Sequence, residues 1–191
     1  MNQNTIKLFQ SKKNDNWKTP DDLYNKLNKE FNFDFDPCPF KHNINKWDGL
    51  KIKWKKRNFV NPPYSNIEVW ILKALEEIKQ NNAEICVFLV NANTDTKWFH
   101  NYIYKKYEKR FLKGRICFVN ENGKTDKKMR NMRPSMLIIL KKKMKLGDLI
   151  YYITKYTGIK YLVDSFHAFR GTKCNCDSRR KALNNIKIKR W

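Results

Sequence analysis

The chain has 191 residues, with 41 Lys and Arg against 18 Asp and Glu, a formal net charge of +23. Hydrophobic residues at 41% and aromatics at 14% exclude a disordered polyelectrolyte and supply a buried core for one domain with a small appendage. No apolar run is long enough to span a membrane and the first residues lack the apolar core of a secretory signal, so a cytoplasmic protein without a membrane partner is expected. The charge points to a polyanionic partner, because each neutralised phosphate releases counterions. Coding bias toward Lys and Asn is the competing explanation, but it leaves the shortage of acids unexplained.

Residues 1–16 are polar and read as a flexible N-terminus. Thr19-Pro20-Asp21-Asp22 predicts a helix start, with Thr19 as N-cap and Pro20 at the first helical position. Leu23, Leu27 and Phe31 follow at four-residue spacing on one face. Residues 31–35 (FNFDF) alternate and predict a short strand that ends at Asp36-Pro37. Residues 38–56 have no period and read as loop. A strand over 57–60 is stopped by Pro62-Pro63, and Ser65-Asn66-Ile67-Glu68 has the pattern of a capping box opening the next helix. The run 85–90 predicts a buried strand. Asp95 is expected to open a helix whose Trp98, Phe99, Tyr102, Ile103 and Tyr107 face inward. Two more strands are expected at 114–119 and 135–140. Strands alternating with helices predict an α/β layered fold.

Residues 141–145 (KKKMK) read as a joint. Beyond it, 148–166 is amphipathic, with a break near Gly158. The domain reading is therefore a flexible 1–16, a main domain over 17–143, and a small basic, mainly helical module over 144–191.

Five cysteines at irregular spacing argue against a disulfide framework. Cys86 and Cys117 sit in apolar runs and read as core. Cys174-Asn175-Cys176 with His167 makes at most half a metal site, and no metal is expected.

The sharpest local signal is Asn61-Pro62-Pro63-Tyr64, between a strand and a helix. Two prolines stiffen the backbone and leave carbonyl oxygens without local donors. Asn61 adds a side-chain acceptor, and Tyr64 an aromatic face. Paired acceptors suit an NH2 group conjugated to a ring. They draw its hydrogens out of the ring plane, localise the lone pair, and stabilise positive charge as it develops on nitrogen. A proline-rich turn that merely ends a strand is the bland alternative.

This motif resembles the catalytic motif of amino-methyltransferases that use S-adenosylmethionine. Further segments resemble the phage DNA N-6-adenine methyltransferase family in that family's order. They are Trp17-Lys18-Thr19-Pro20, then Phe33-Asp34-Phe35-Asp36-Pro37-Cys38, then Asp48-Gly49-Leu50. Thr94-Asp95-Thr96-Lys97-Trp98-Phe99-His100 and Gly114-Arg115-Ile116-Cys117-Phe118 complete the set. The resemblance covers roughly residues 17–140. It implies a compact Rossmann-like class I methyltransferase sheet with helices on both faces, and adenine-specific DNA methylation with short or relaxed sequence specificity.

The resemblance also implies roles. Asn61, Pro62, Pro63 and Tyr64 would bind the target amine and base. Asp36, Pro37 and Cys38 would form the cofactor turn, Trp17, Thr19 and Pro20 would flank the methionine part of S-adenosylmethionine, and Asp48 would contact its adenosine. No glycine follows Cys38, a departure from the Gly-rich cofactor loop of most methyltransferases. The DNA would be single-stranded or would have its adenine flipped out. Lys51, Lys53, Lys55, Lys56 and Arg57 are candidate phosphate contacts, and residues 120–133 are the candidate DNA-touching loop. Arg115 reads equally as a phosphate contact or a support of the fold. The rival readings are a methyltransferase acting on RNA adenine or protein glutamine, and a non-catalytic nucleic-acid binder with a decayed cofactor site.

Overall fold

The computed structural model describes residues 17–40, 47–119, 131–142 and 146–186. Expectations for 1–16, for 120–130 of the candidate DNA loop, for 143–145 of the joint and for the last five residues fall outside the described residues. The chain divides into two compact units, Met1–Lys142 and Lys143–Trp191.

In the first unit, α1 spans Asp21–Phe31, with two acids in its first turn and Lys29 in its last, which matches the helix dipole. It starts one residue later than expected. Pro20 is the N-cap and its carbonyl accepts the Tyr24 N–H at 3.0 Å, while Thr19 is buried instead of capping. Asn32 ends the helix in the left-handed region (φ 49°). The helix therefore keeps Phe31, and the strand expected over 31–35 contracts to one parallel bridge, Phe35 to Asn58.

The sheet comprises β1 (Arg57–Val60), β2 (Ile85–Asn91), β3 (Glu108–Phe111) and β4 (Ser135–Lys141) in the order β1-β2-β4-β3. β1 and β2 are parallel, with Val60 opposite Phe88, and joined through α2 (Ile67–Lys79), as a parallel crossover requires. β4 is antiparallel to both of its neighbours. Alternate residues of β2 serve two cores. Cys86, Phe88 and Val90 pack with Trp70, Ile71 and Ala74 of α2, whereas Ile85, Val87 and Leu89 pack with Leu27 and Phe31 of α1. Helices thus cover both faces, which is why β2 is apolar throughout.

Three other local expectations are corrected. Ser65 is not the residue that immediately precedes α2. Tyr64–Asn66 is a 3-10 turn, and Asn66 precedes the helix without a side-chain cap bond. The helix expected from Asp95 is reduced to a π-type turn, Phe99–Ile103, because Tyr104 N–H reaches back to the Phe99 carbonyl and Lys105 turns away at φ 57°. Its Trp98, Phe99 and Ile103 are buried as expected. The nearest strand lies earlier, at β3, and among the described residues the 114–119 segment forms one β-bridge, Val119 to Lys18. β3 carries Glu108, Lys109 and Arg110, so no apolar pattern marks it. Arg110 ties this edge to Glu30 and Glu108, each at 2.7 Å.

The second unit holds α3 (Leu146–Tyr156), α4 (Ile159–Phe169) and α5 (Cys176–Asn184). The break between α3 and α4 falls at Gly158, φ 76°, as the sequence predicts. Asp148 of α3 accepts from Arg180 Nε (2.6 Å) and Asn184 Nδ2 (3.0 Å) of α5.

Candidate active site

The Phe35–Asn58 bridge sets the geometry. Asp34 N–H donates to the Arg57 carbonyl (2.9 Å) and Phe59 N–H to the Phe35 carbonyl (3.0 Å). Phe35 therefore lies beside Asn58, about one strand spacing (~4.8 Å) away, and the chain then bends at Pro37 and Cys38. That bend and the turn at Asn61 leave the sheet at the carboxyl end of β1, where open α/β sheets place ligands.

Asn61 donates its Nδ2–H to the Trp17 carbonyl at 2.9 Å, which leaves Oδ1 as the acceptor end of the amide. Pro62 is buried, and among the described residues no backbone N–H reaches its carbonyl. The Pro63 carbonyl does have a donor, the Asn66 N–H at 3.2 Å. Among the described residues the Pro63 carbonyl is thus engaged by a backbone N–H and the Pro62 carbonyl is not, while Asn61 Oδ1 is the acceptor end of its amide. Tyr64 is half-buried between the two cores, with its ring edge-on to Phe118 at 6.3 Å.

The segment from Trp17 to Pro20 lies against this turn. Besides the Trp17 carbonyl, Lys18 exchanges backbone hydrogen bonds with Val119 at 3.1 and 3.0 Å. Of the expected Trp17, Thr19 and Pro20, Trp17 meets Asn61 directly.

The turn at Asp36-Pro37-Cys38 is closed by Asp36 Oδ1, which accepts the Cys38 N–H at 2.8 Å. No residue in 36–40 has a positive φ, so glycine is not required there. Smallness is needed at Gly49 instead, where an added Cβ would fall 2.1 Å from the Pro37 carbonyl oxygen. Trp47 Nε1 donates to that same carbonyl (3.0 Å) and Trp54 Nε1 to the Gly49 carbonyl (2.7 Å). The Phe35 and Trp47 rings lie 5.6 Å apart. Burial first, then the Asp36 charge, push the Cys38 thiol far above its usual range, so it stays protonated. Asp48 has local work: it accepts the Leu50 N–H (3.0 Å) and pairs with Lys51 (3.1 Å). These bonds, led by that from Lys51, hold its carboxyl below the usual range.

The lysines expected to hold phosphate lie elsewhere. Lys55 and Lys56 precede β1 and Arg57 opens it, about 13 Å of strand from Asn61, with Lys55 Nζ 5.9 Å over the Phe35 ring. Lys56 pairs with Glu84 (3.5 Å) and Arg57 donates to the Phe31 carbonyl (3.0 Å). Lys51 and Lys53 line an open hollow of about 380 Å³ with Lys73, Glu77, Gln80 and Asn82, at the far end of α2 from the Asn61 turn.

Sequence reading missed a polar clip at the carboxyl end of β2. Asn131 Nδ2 donates to Asn91 Oδ1 (2.8 Å) and Ser135 Oγ (3.1 Å). Asn131 N–H bonds the Ile116 carbonyl (2.9 Å), and Arg133 Nη1 donates to Asn93 Oδ1 (3.0 Å). The available signal was slight: Asn91 and Ser135 are the polar residues terminating two fully apolar strands. Away from this site, burial pushes the Cys86 thiol up to about 12. Cys174 and Cys176 are joined as a disulfide with Asp164 beside them. His167 Nδ1 pairs with Thr172 Oγ1 at 2.8 Å.

Comparison with known proteins bears on this arrangement. Residues 7–175 match the family model described as DNA N-6-adenine-methyltransferase (Dam). The chain is 30% identical over 146 residues to the DNA N-6-adenine-methyltransferase of Haemophilus phage HP1 (strain HP1c1), covering 71% of this chain and 83% of that protein. No solved structure matches it. With the family's model spanning most of the chain, the protein belongs to the DNA N-6-adenine-methyltransferase (Dam) family.

Proposed function

We propose that the protein transfers a methyl group from S-adenosylmethionine to the N6 amine of adenine in DNA. The observation that carries this reading is the acceptor pair, Asn61 Oδ1 and Pro62 O, at the carboxyl end of β1 beside the turn at residues 36–38. Family membership and the relative's description support it. The order Phe35 segment, β1, β2, β4, β3 supports a Rossmann-like methyltransferase sheet.

The donor set fits the cofactor. The Asp36 turn offers carboxylate and carbonyl oxygens to cationic and hydroxyl groups, Phe35 and Trp47 offer aromatic surface, and the protonated Cys38 thiol is too weak a nucleophile to intercept a methyl group. S-adenosylmethionine supplies an activated methyl on a sulfonium, so the protein's work is positioning and electrostatics. Asp36, Pro37 and Cys38, flanked by Trp17, Thr19 and Pro20, hold the cofactor in this reading. Asp48 acts there only through the loop that supports Pro37. Asn61 and Pro62 accept the two amine hydrogens and stabilise the charge developing on nitrogen. Pro63 fixes the turn, and Tyr64 stacks on the extruded base, replacing part of its lost stacking. The methylated nitrogen is then acidic enough to lose its proton to water.

Among the described residues no helix is long and apolar enough to cross a membrane. The proposed setting is the cytoplasm, where DNA and cofactor meet. The test is incubation with labelled S-adenosylmethionine and unmethylated DNA, or RNA of the same sequence, followed by nucleoside mass spectrometry. N6-methyl-2′-deoxyadenosine from the DNA, without N6-methyladenosine from the RNA, is the expected product. Label only in RNA or in protein would refute DNA as the acceptor, and no label anywhere would refute catalysis.

A further inference from the structure

We infer that Arg133, aimed by Asn93, grips a backbone phosphate next to the target nucleotide. The inference rests on the methyltransferase reading and names a DNA contact of that same site. Asn91 opposes Ser135 in the β2–β4 register, and Ala92 N–H bonds the Pro134 carbonyl at 2.8 Å. Arg133 and Asn93 therefore leave the sheet together at the carboxyl end of β2. β1 is parallel to β2 and adjacent to it, so the Asn61 turn emerges from the same end. From β1 to β4 is two strand spacings, about 10 Å. That is close to the span from the amine of an adenine to the phosphate of its own nucleotide.

Arg133 is set apart by its place at the site, since Arg57 also lacks a carboxylate partner and donates to the Phe31 carbonyl. Arg110 and Arg180 meet carboxylates, as do Lys18, Lys51 and Lys56. Among the described residues no carboxylate pairs with Arg133. Its recorded partner is a neutral amide oxygen, Asn93 Oδ1 at 3.0 Å. An amide orients one edge of the guanidinium without neutralising it, and the remaining N–H donors stay available for a bidentate phosphate contact. Arg133 is exposed, so that edge is open to a ligand.

The mount is firm. Asn93 N–H bonds the Asn91 carbonyl (2.8 Å) and Thr96 Oγ1 the Asn93 carbonyl (2.9 Å). Two residues before Arg133, Asn131 is pinned through Asn91, Ser135 and the Ile116 carbonyl. A flexible surface arginine would lose more side-chain entropy on binding than one held this way.

The experiment compares the full-length protein with R133A, R133K and N93A. Anisotropy with a short single-stranded oligonucleotide, run over a salt series, reads the phosphate contact without any methyl transfer. Steady-state kinetics reads KM for DNA, with KM for S-adenosylmethionine as internal control. R133A should weaken DNA binding by about tenfold or more and flatten the log–log salt slope by close to one. R133K should keep the salt slope but lose part of the affinity, and N93A should fall between wild type and R133A. Unchanged DNA affinity and salt slope in R133A, with native circular dichroism and melting, would overturn the inference. If the wild type transfers no methyl group to DNA, the enzymatic reading fails, and the anisotropy arm still decides whether Arg133 holds a phosphate.

Discussion

At Asn61, Nδ2 is committed to the Trp17 carbonyl, and in the proposed reading that leaves Oδ1 to accept from the amine to be methylated. Removing the side chain should therefore act mainly on the transition state. N61A is expected to lower kcat by about 100- to 1,000-fold, the loss typical of one preorganised polar group in an active site. Because the Trp17 bond goes too, the fold should lose about 1 kcal/mol. Single-turnover methylation and a urea melt read the two effects separately, and wild-type turnover would refute the assignment. Cys38 gives a second residue-scale expectation. Its thiol, pushed above the usual range by burial and Asp36, should resist iodoacetamide at pH 8 in the native protein and react promptly in urea. Peptide mass spectrometry locates the adduct. The Asn-Pro-Pro-Tyr site was legible because proline chemistry is local: a ring fixes φ and removes a donor wherever it occurs. The Asn131–Asn91–Ser135 clip was not, because its members lie 40 and 4 residues from Asn131 and single polar residues carry no period.

Among the elements, α2 shows how a buried charge steadies the scaffold beneath the site. Glu77 is buried. It pairs with Lys73 (2.7 Å) and accepts from Trp54 N–H (3.2 Å) and Asn82 Nδ2 (3.0 Å). Burial alone would raise its carboxyl, but the Lys73, Trp54 and Asn82 bonds outweigh it and hold the group below its usual value. The stability it lends is whole above the unfolded Glu value of about 4.3 and is lost as pH falls through the lower folded value. E77A should cost about 3 kcal/mol at pH 7 by stranding those partners. E77Q should lose less stability than the wild type when urea midpoints are compared between pH 6 and pH 3. At the loop that closes on Pro37, G49A would drive a Cβ to 2.1 Å from a backbone oxygen. The loop must move, so KM for S-adenosylmethionine should rise at least severalfold while the Arg133 phosphate contact persists. β2 and β4 could be read from sequence because burial on both faces writes itself as an apolar run, and β1 because Pro62-Pro63 stops it. β3 could not, since an edge strand pinned by Arg110, Glu30 and Glu108 has the composition of a solvated surface.

For the whole molecule the governing quantity is charge. Unit Lys143–Trp191 holds twelve Lys and Arg against three Asp, and the family match runs into it, to residue 175. We propose that residues 144–191 act as a separate basic module that adds non-specific DNA affinity to the site in residues 17–143. Removing them should weaken binding to DNA most at low salt and reduce the salt slope by several units, with cooperative unfolding of the remainder preserved. A truncated protein with undiminished slope would exclude the module from DNA. Sequence alone determined the α/β class, the polyanionic partner and the Asn61 turn, because periodicity, net charge and proline stereochemistry are properties of neighbouring residues or of plain counts. Only the tertiary structure separated the cations in space: it placed Lys55, Lys56 and Arg57 at the amino end of β1 and Arg133 at the carboxyl end of β2. A linear sequence records that a strand is buried, but the direction in which parallel strands deliver their ends to a common edge is fixed by pairing between segments distant in the chain.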